Sequence, residues 1–258
     1  MIYRLILTCL LGLAAYGTLA GPIGDYGEAI NQAGRQRMLS QRIAKAYIQI
    51  GQHIWSGKPR RQLDAALRLY QAQLDNLKAF ARSDPTQAAL AHADAVWQQY
   101  REIAKSRIDR KSAVALVAKS EELLQASQAV VEALVAEAGT QKAHIVDLSG
   151  RQRMLSQRMA KFYLLLSWGL DEPQYREAFH KAEQEFSTAL DELRGSQLNT
   201  REIKRLLEQV EKQWRFFELT RIMDEGRYLP SIVASSTERL LRQMNEITGL
   251  YAQLSSGD

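Results

Sequence analysis

Gly34-Arg35-Gln36-Arg37-Met38-Leu39-Ser40-Gln41-Arg42 recurs letter for letter at positions 150–158, which lie 116 residues further along the chain. At the same offset Ala44, Lys45 and Tyr47 match Ala160, Lys161 and Tyr163. This self-similarity predicts two copies of one structural unit. We expect the first copy to occupy residues 21–139 and the second residues 140–258, and at this length each copy can bury a core of its own.

The composition around the repeat favours an all-helical fold. Only five prolines and fifteen glycines interrupt 258 residues that are rich in good helix formers. Turn residues, among them Asp84 as an expected helix cap, fall at 57–59, 83–85, 109–112, 169–173, 195–199 and 226–230. Helical segments joined by short loops predict two tandem antiparallel four-helix bundles, with Trp97 and Trp214 in the cores.

The connection between the two copies has two interpretations. Gly139 followed by Thr140 is typical of a helix stop and a new helix cap, which would form a hairpin and lay the second bundle beside the first in the same direction. Alternatively, the chain from Ser112 to Trp168 forms one long helix, and the bundles stack end to end. We favour the hairpin.

The first twenty residues differ from the rest of the chain. Arg4 precedes an apolar run over residues 5–15, and the small residues around Ala20 follow it. This order is typical of a signal peptide cleaved after Ala20, so we expect export to the periplasm. An uncleaved membrane anchor is the alternative, although the apolar run is short for a spanning helix. Cys9, the one cysteine of the chain, lies in this segment, so no thiol chemistry is expected in the mature protein.

The repeated helix carries a second face that is suited to pack against another helix. Ile30, Gly34, Arg37 and Gln41 follow one another at heptad-like spacing, and the second copy repeats this pattern around Gly150 and Arg153. The glycines would allow two such helices to approach closely. Arg37 would then face Arg153, or its own counterpart in a second copy of the chain, and a small anion between the guanidinium groups would offset their repulsion. Alternatively, these arginines form ordinary salt bridges within the bundles.

The residues 30–42 and 146–158 resemble the signature helix of the periplasmic sensor domain that PilJ-type methyl-accepting chemotaxis transducers share with nitrate- and nitrite-sensing histidine kinases of the NarX/NarQ type. The resemblance implies a four-helix bundle in which an arginine of this helix and its dimer mate hold one nitrate. It carries this role to Arg37 and Arg153, and it also implies Arg42 and Arg158 as ligand-binding residues. We expect Gly34 and Gly150 to belong to the same binding site. Gln32 and Leu148 depart from the family pattern, because the nitrate sensors tend to carry a lysine there. We therefore expect a small oxyanion or carboxylate as the ligand class.

Other chemistry has little support in the sequence. The net charge of +5 is too small to demand nucleic acid, and no motif for haem, phosphate-loop or serine-hydrolase chemistry occurs. Glu177 and His180 have the spacing of a carboxylate-bundle iron ligand without the further ligands, so neither metal nor cofactor is expected. The leading hypothesis is a non-enzymatic receptor that acts through a membrane sensor kinase, chemoreceptor or transporter. The alternative is a ligand-free adaptor that docks onto such a sensor.

Overall fold

The computed structural model describes residues 23–55, 57–222 and 227–255 of the chain. These residues form eight α-helices and no strand, which confirms the all-helical prediction. The helices are α1 (Tyr26–Gly51), α2 (Lys58–Phe80), α3 (Asp84–Lys105), α4 (Arg110–Ala138), α5 (Gln141–Ser167), α6 (Pro173–Gly195), α7 (Arg201–Thr220) and α8 (Pro230–Ser255). The segment 1–20, expected to be a signal peptide, lies outside the described residues, as does Gly226.

Local sequence signals explain where the helices begin. The side chains of Asp25, Asp109 and Thr140 each accept a hydrogen bond from the backbone N–H three residues further on, which is the standard N-cap interaction. One predicted cap was wrong by a residue. Ser83, not Asp84, caps α3 through its hydroxyl, and Asp84 is the first helical residue, where its negative charge faces the positive end of the helix dipole.

The two copies are joined by a tight turn. α4 ends at Ala138, and Gly139 adopts a left-handed conformation with φ 61°, which a glycine tolerates without a steric penalty. Thr140 then caps α5. The predicted helix stop and new cap are therefore observed, and the alternative of one long helix from Ser112 to Trp168 is wrong.

The eight helices form two four-helix bundles that contact each other through the first helix of each bundle. α1–α4 pack together, α5–α8 pack together, and α1 lies against α5 along the middle of the molecule. The two central helices run parallel, because Lys45 of α1 contacts Gln157 of α5 and Gln52, one turn beyond Ile48, contacts Leu164. The second face of the repeated helix thus pairs with the other repeat of the same chain.

Each bundle is centred on a stacked pair of aromatic rings. Trp97 stacks on Tyr70 with 4.1 Å between ring centroids, and Trp214 stacks on Phe186 with 4.5 Å. All four side chains are buried, and the two pairs occupy matching places in the repeat. Trp97 and Trp214 are therefore core residues, as predicted.

Candidate functional site

The central helices lie close together at two glycines. A Cβ placed on Gly34 of α1 would lie 4.0 Å from the Cα of Gly150 in α5. The same position would lie 3.3 Å from the Nη2 atoms of both Arg37 and Arg153. The missing side chains thus make room for two guanidinium groups as well as for a close helix contact. Sequence reasoning predicted this combination of glycines and arginines, and the structure brings all four residues together.

Arg37 is fully buried and has a charged partner in the other repeat. Its Nη2 donates to the Asp147 carboxylate at 2.6 Å, and its Nη1 donates to the Gln128 amide oxygen at 2.5 Å. Asp147 is a residue of α5. Its side chain is 22% exposed, so it lies at the edge of the site. The salt bridge that the sequence left open as an alternative therefore exists on this side of the pair.

Arg153 is equally buried, but all of its hydrogen-bond acceptors are neutral. Its Nη1 donates to the side-chain oxygens of Asn31, at 2.9 Å, and Asn245, at 3.2 Å. Its Nη2 donates to the backbone oxygen of Asn31 at 3.1 Å. Among the residues that the structure describes, no carboxylate forms a salt bridge with this guanidinium group. Arg153 is therefore a buried cation held by amide groups alone.

The electrostatic environment of Arg153 is unfavourable for its charge. Burial lowers the pKa of Arg153 well below its ordinary value, and the positive charges of Arg35 and Arg37 lower it further. Glu28 opposes this shift, and its carboxylate reaches the site through the Asn31 amide, which donates to it at 3.1 Å. The Nε atoms of Arg37 and Arg153 also find no acceptor in the described part of the chain. A small anion at this point would meet both guanidinium groups.

Arg42 and Arg158 lie further along the same helices and have a different role. Arg42 and Lys45 of α1 both bind the Glu238 carboxylate of α8, and the Arg42 bond is 3.0 Å long. In the matching contact, Arg158 and Lys161 of α5 bind Glu121 of α4 at 2.6 and 2.5 Å. Each copy therefore forms ion pairs with the other copy. We call these two clusters the cross-repeat ion pairs. One consists of Arg42, Lys45 and Glu238, and the other of Arg158, Lys161 and Glu121. The two arginines therefore fasten the repeats together and do not contact the glycines.

Burial and attraction act against each other within the cross-repeat ion pairs. Burial alone would raise the pKa of Glu238, but attraction to Lys45 and Arg42, with their hydrogen bonds, lowers it to about 2. Burial lowers the pKa of Lys45 to about 8, although Glu238 opposes that shift. Burial likewise lowers the pKa of Lys161 to about 8, and Glu121 opposes that shift. At neutral pH Glu238 is therefore ionised and the two lysines are mostly protonated. The loss of one partner would leave a buried charge unpaired.

Sequence reasoning missed the residues that surround the four central ones. The partners Asn31, Asp147, Gln128, Asn245, Glu121 and Glu238 were not predicted. Alignment of the two copies could have found them, because Asn31 matches Asp147 at the 116-residue offset. After the one-residue insertion, Glu121 matches Glu238 in the same way. What the alignment does not give is that four of these residues bind a side chain of the other copy, namely Asn31, Asp147, Glu121 and Glu238.

One family model matches both copies of the repeat. The family model described as type IV pili methyl-accepting chemotaxis transducer N-term, PilJ, matches residues 25–132 and 134–220. The chain belongs to the PilJ family. The two matched segments agree with tandem copies of a PilJ domain, which is a sensory domain of chemotaxis transducers. No curated protein and no solved structure matches the chain.

Two further observations concern the chemistry and the location of the PilJ repeats. In the described ranges, no group of three or more His, Cys, Asp or Glu side chains is arranged to hold a metal ion. His180, considered as a metal ligand on sequence grounds, instead contacts Glu183 at 3.1 Å. None of the eight helices is both long enough and apolar enough to cross a membrane.

Proposed function

We propose that this protein is a non-catalytic sensory receptor that binds one small oxyanion or carboxylate between Arg37 and Arg153. One observation carries the proposal: Arg153 is fully buried beside a second arginine and has only neutral acceptors among the described residues. A buried charge is costly unless it is paired, and a planar oxyanion can accept two parallel hydrogen bonds from a guanidinium group. A bound anion would therefore relieve both the repulsion and the cost of burial.

The geometry suggests one ligand for each chain. The two repeats contribute one arginine and one glycine each, and the four residues meet at a single place on the axis that relates α1 to α5. The binding stoichiometry is therefore one anion per chain, although the sequence motif occurs twice. Gly34 and Gly150 supply the space, and any larger residue would compete with the guanidinium groups for it.

We place the receptor in the periplasm and assign it a membrane partner, a chemoreceptor, sensor kinase or transporter that responds to the anion-bound form. The family supports this assignment, because PilJ domains belong to chemotaxis transducers. The signal also has a physical route. An anion that draws Arg37 and Arg153 together acts directly on the contact between α1 and α5, and this contact joins the two bundles.

Titration with sodium nitrate tests the proposal. Nitrate should raise the melting temperature of the wild-type protein and bind with a stoichiometry of one in calorimetry. Arg153→Met should weaken binding by roughly tenfold to a hundredfold, since a hydrogen bond to a charged group contributes about 1.5–3 kcal/mol. Arg151→Met is the matched control on the same helix, because Arg151 is exposed and pairs with Glu185 at the surface, so this variant should bind like the wild type.

Nitrite and formate extend the titration to other small monovalent anions. If none of the three anions changes the melting temperature or gives a calorimetric signal, the receptor proposal fails.

The adaptor function is a second candidate because one apolar surface is exposed. Phe216, Leu219 and Ile222 follow each other at the end of α7, and Leu219 is 80% exposed. Successive exposed apolar side chains are typical of a protein contact surface. If the nitrate titration is negative, and Leu219→Asp abolishes co-purification with a membrane transducer from the same cell, the adaptor function takes its place.

A further inference from the structure

The two halves of the anion site differ by one charge. Asn31 and Asp147 occupy matching positions in the repeat, and each one faces the arginine of the other copy. Asn31 offers Arg153 a neutral amide oxygen, whereas Asp147 offers Arg37 a carboxylate. A site built from two identical repeats would carry either two amides or two carboxylates. This chain has one of each.

The charges at the site can be counted from these contacts. Arg37 and Arg153 contribute two positive charges, and Asp147 contributes one negative charge, so the first layer of side chains carries a net charge of +1. Arg35 and Glu28 also act on Arg153, and because their charges have opposite signs their effects on Arg153 oppose each other. A monovalent anion therefore neutralises the site, whereas a divalent anion leaves an uncompensated negative charge in a buried place, which is costly.

We propose that Asp147 is a built-in counter-charge that makes the site selective for monovalent over divalent anions and directs the ligand toward Arg153. This inference rests on the proposed function and specifies its ligand class. The class comprises planar anions of one charge, such as nitrate, nitrite and formate; sulfate and hydrogen phosphate in its divalent form are rejected. Because Arg37 already has its carboxylate, the ligand's strongest interaction is with Arg153.

The test compares nitrate and sulfate binding in three proteins: the wild type, Asp147→Asn and Asn31→Asp. Calorimetric titrations are run at constant ionic strength, which is set with the salt of a bulky organic anion. In Asp147→Asn both halves carry an amide and the net charge rises to +2. Nitrate affinity should rise by roughly tenfold, and sulfate affinity by roughly the square of that factor, because Coulomb energy is proportional to the ligand charge. The preference for nitrate should therefore shrink or invert.

Asn31→Asp is the opposite change at the matching position. A second carboxylate would pair with Arg153 and bring the net charge to zero, so nitrate binding should be lost. The new partner for Arg153 and the new repulsion between residue 31 and Glu28, whose carboxylate accepts from the Asn31 amide at 3.1 Å in the wild type, act on the melting temperature in opposite directions. A cooperative thermal transition therefore distinguishes a filled site from a misfolded protein.

The possible results separate this inference from the proposed function. If the wild type binds nitrate and Asp147→Asn keeps the wild-type ratio of nitrate to sulfate affinity, the counter-charge inference is overturned and the receptor function stands. If Asp147→Asn binds nitrate and the wild type does not, the charge role of Asp147 is supported and the receptor function of the wild type is overturned. If neither protein binds either anion while both remain folded, both proposals fail.

Discussion

Arg37 and Arg153 occupy the same place in the repeated sequence, yet their neighbours differ by one charge. Arg37 binds the Asp147 carboxylate, and Arg153 binds the amide of Asn31 at the matching position. The cost of burying a guanidinium group is offset by a carboxylate far better than by an amide. Two residues that the sequence treats as equivalent therefore contribute to stability with opposite signs.

This difference predicts opposite effects of the same substitution. Arg153→Met removes a buried charge that is repelled by Arg37, so in the absence of small anions it should raise the free energy of unfolding by about 1–3 kcal/mol. Arg37→Met leaves Asp147 without its partner and should lower it by about 1–3 kcal/mol. Thermal or urea unfolding of the two variants measures both values.

Each outcome of that comparison has a physical meaning. Added nitrate should reduce the difference in the free energy of unfolding between Arg153→Met and the wild type, because the ligand stabilises only the wild type. An Arg153→Met protein that melts below the wild type without anions would show that the hydrogen bonds to Asn31 and Asn245 outweigh the cost of the buried charge.

At the scale of the helices, the contact between α1 and α5 depends on glycines at two points along its length. Gly34 and Gly150 meet within the site, and Gly51, the last residue of α1, lies under the indole ring of Trp168, which follows α5. Near Gly51, the Gln52 side chain also joins the two helices, because its amide donates to the Leu164 carbonyl at 2.7 Å. The central helix pair is thus held in a fixed register along its length.

Gly51→Ala tests how tightly this end is packed. The added methyl group would lie 2.2 Å from the Cη2 atom of Trp168, so the rigid indole ring must move, and the free energy of unfolding should fall by about 1–3 kcal/mol. Gly249→Ala on α8 is the matched control. Its methyl group meets open space, so the better helix propensity of alanine should raise stability by up to about 1 kcal/mol.

Chemical denaturation of both alanine variants gives the comparison directly. Equal stability changes in the two proteins would contradict the assigned packing of Trp168 on Gly51.

At the scale of the whole molecule, the cross-repeat ion pairs make the two bundles depend on each other. Glu238 of α8 binds Arg42 and Lys45 of α1, and Glu121 of α4 binds Arg158 and Lys161 of α5. Each last helix of a repeat is therefore tied to the first helix of the other repeat. Neutralising a single carboxylate affects the assembly of both bundles.

Acid should weaken the molecule through these carboxylates. The pKa of Glu238 is about 2 in the folded protein, against 4.5 for an ordinary glutamate, so the stability it contributes is complete above pH 4.5 and is lost as the pH falls toward 2. The loss is on the order of 3 kcal/mol for this one group. The pKa of Glu121 is also lowered, since attraction to Lys161 and Arg158 outweighs the effect of burial, so it acts in the same direction.

Unfolding curves between pH 7 and pH 3 measure this dependence. Glu238→Gln should be less stable than the wild type at pH 7 and should lose less stability on acidification. Glu246→Gln, on the exposed face of the same helix, is the control and should follow the wild-type curve. If Glu238→Gln is as steep as the wild type in acid, then Glu238 is not the group that couples the two repeats.

Local signals in the sequence predicted the helices, the two copies and the four central residues of the candidate site. Helix caps and turns act over a few residues, and the letter-for-letter repeat around Gly34 and Gly150 reports that both copies use one face alike, so these features are local and can be read from the chain. The match of Arg37 to Arg153 followed from the same repeat.

Only the tertiary structure decided which residues those four would meet. Asp147, Glu121 and Glu238 act on the copy to which they do not belong, and that exchange exists only once α1 and α5 lie parallel and side by side. These partners are 110, 193 and 40 residues apart along the chain, so they leave no periodic signal in either helix. The physical reason is that electrostatic pairing depends on distance in space, whereas the pattern of a repeat depends on distance along the chain.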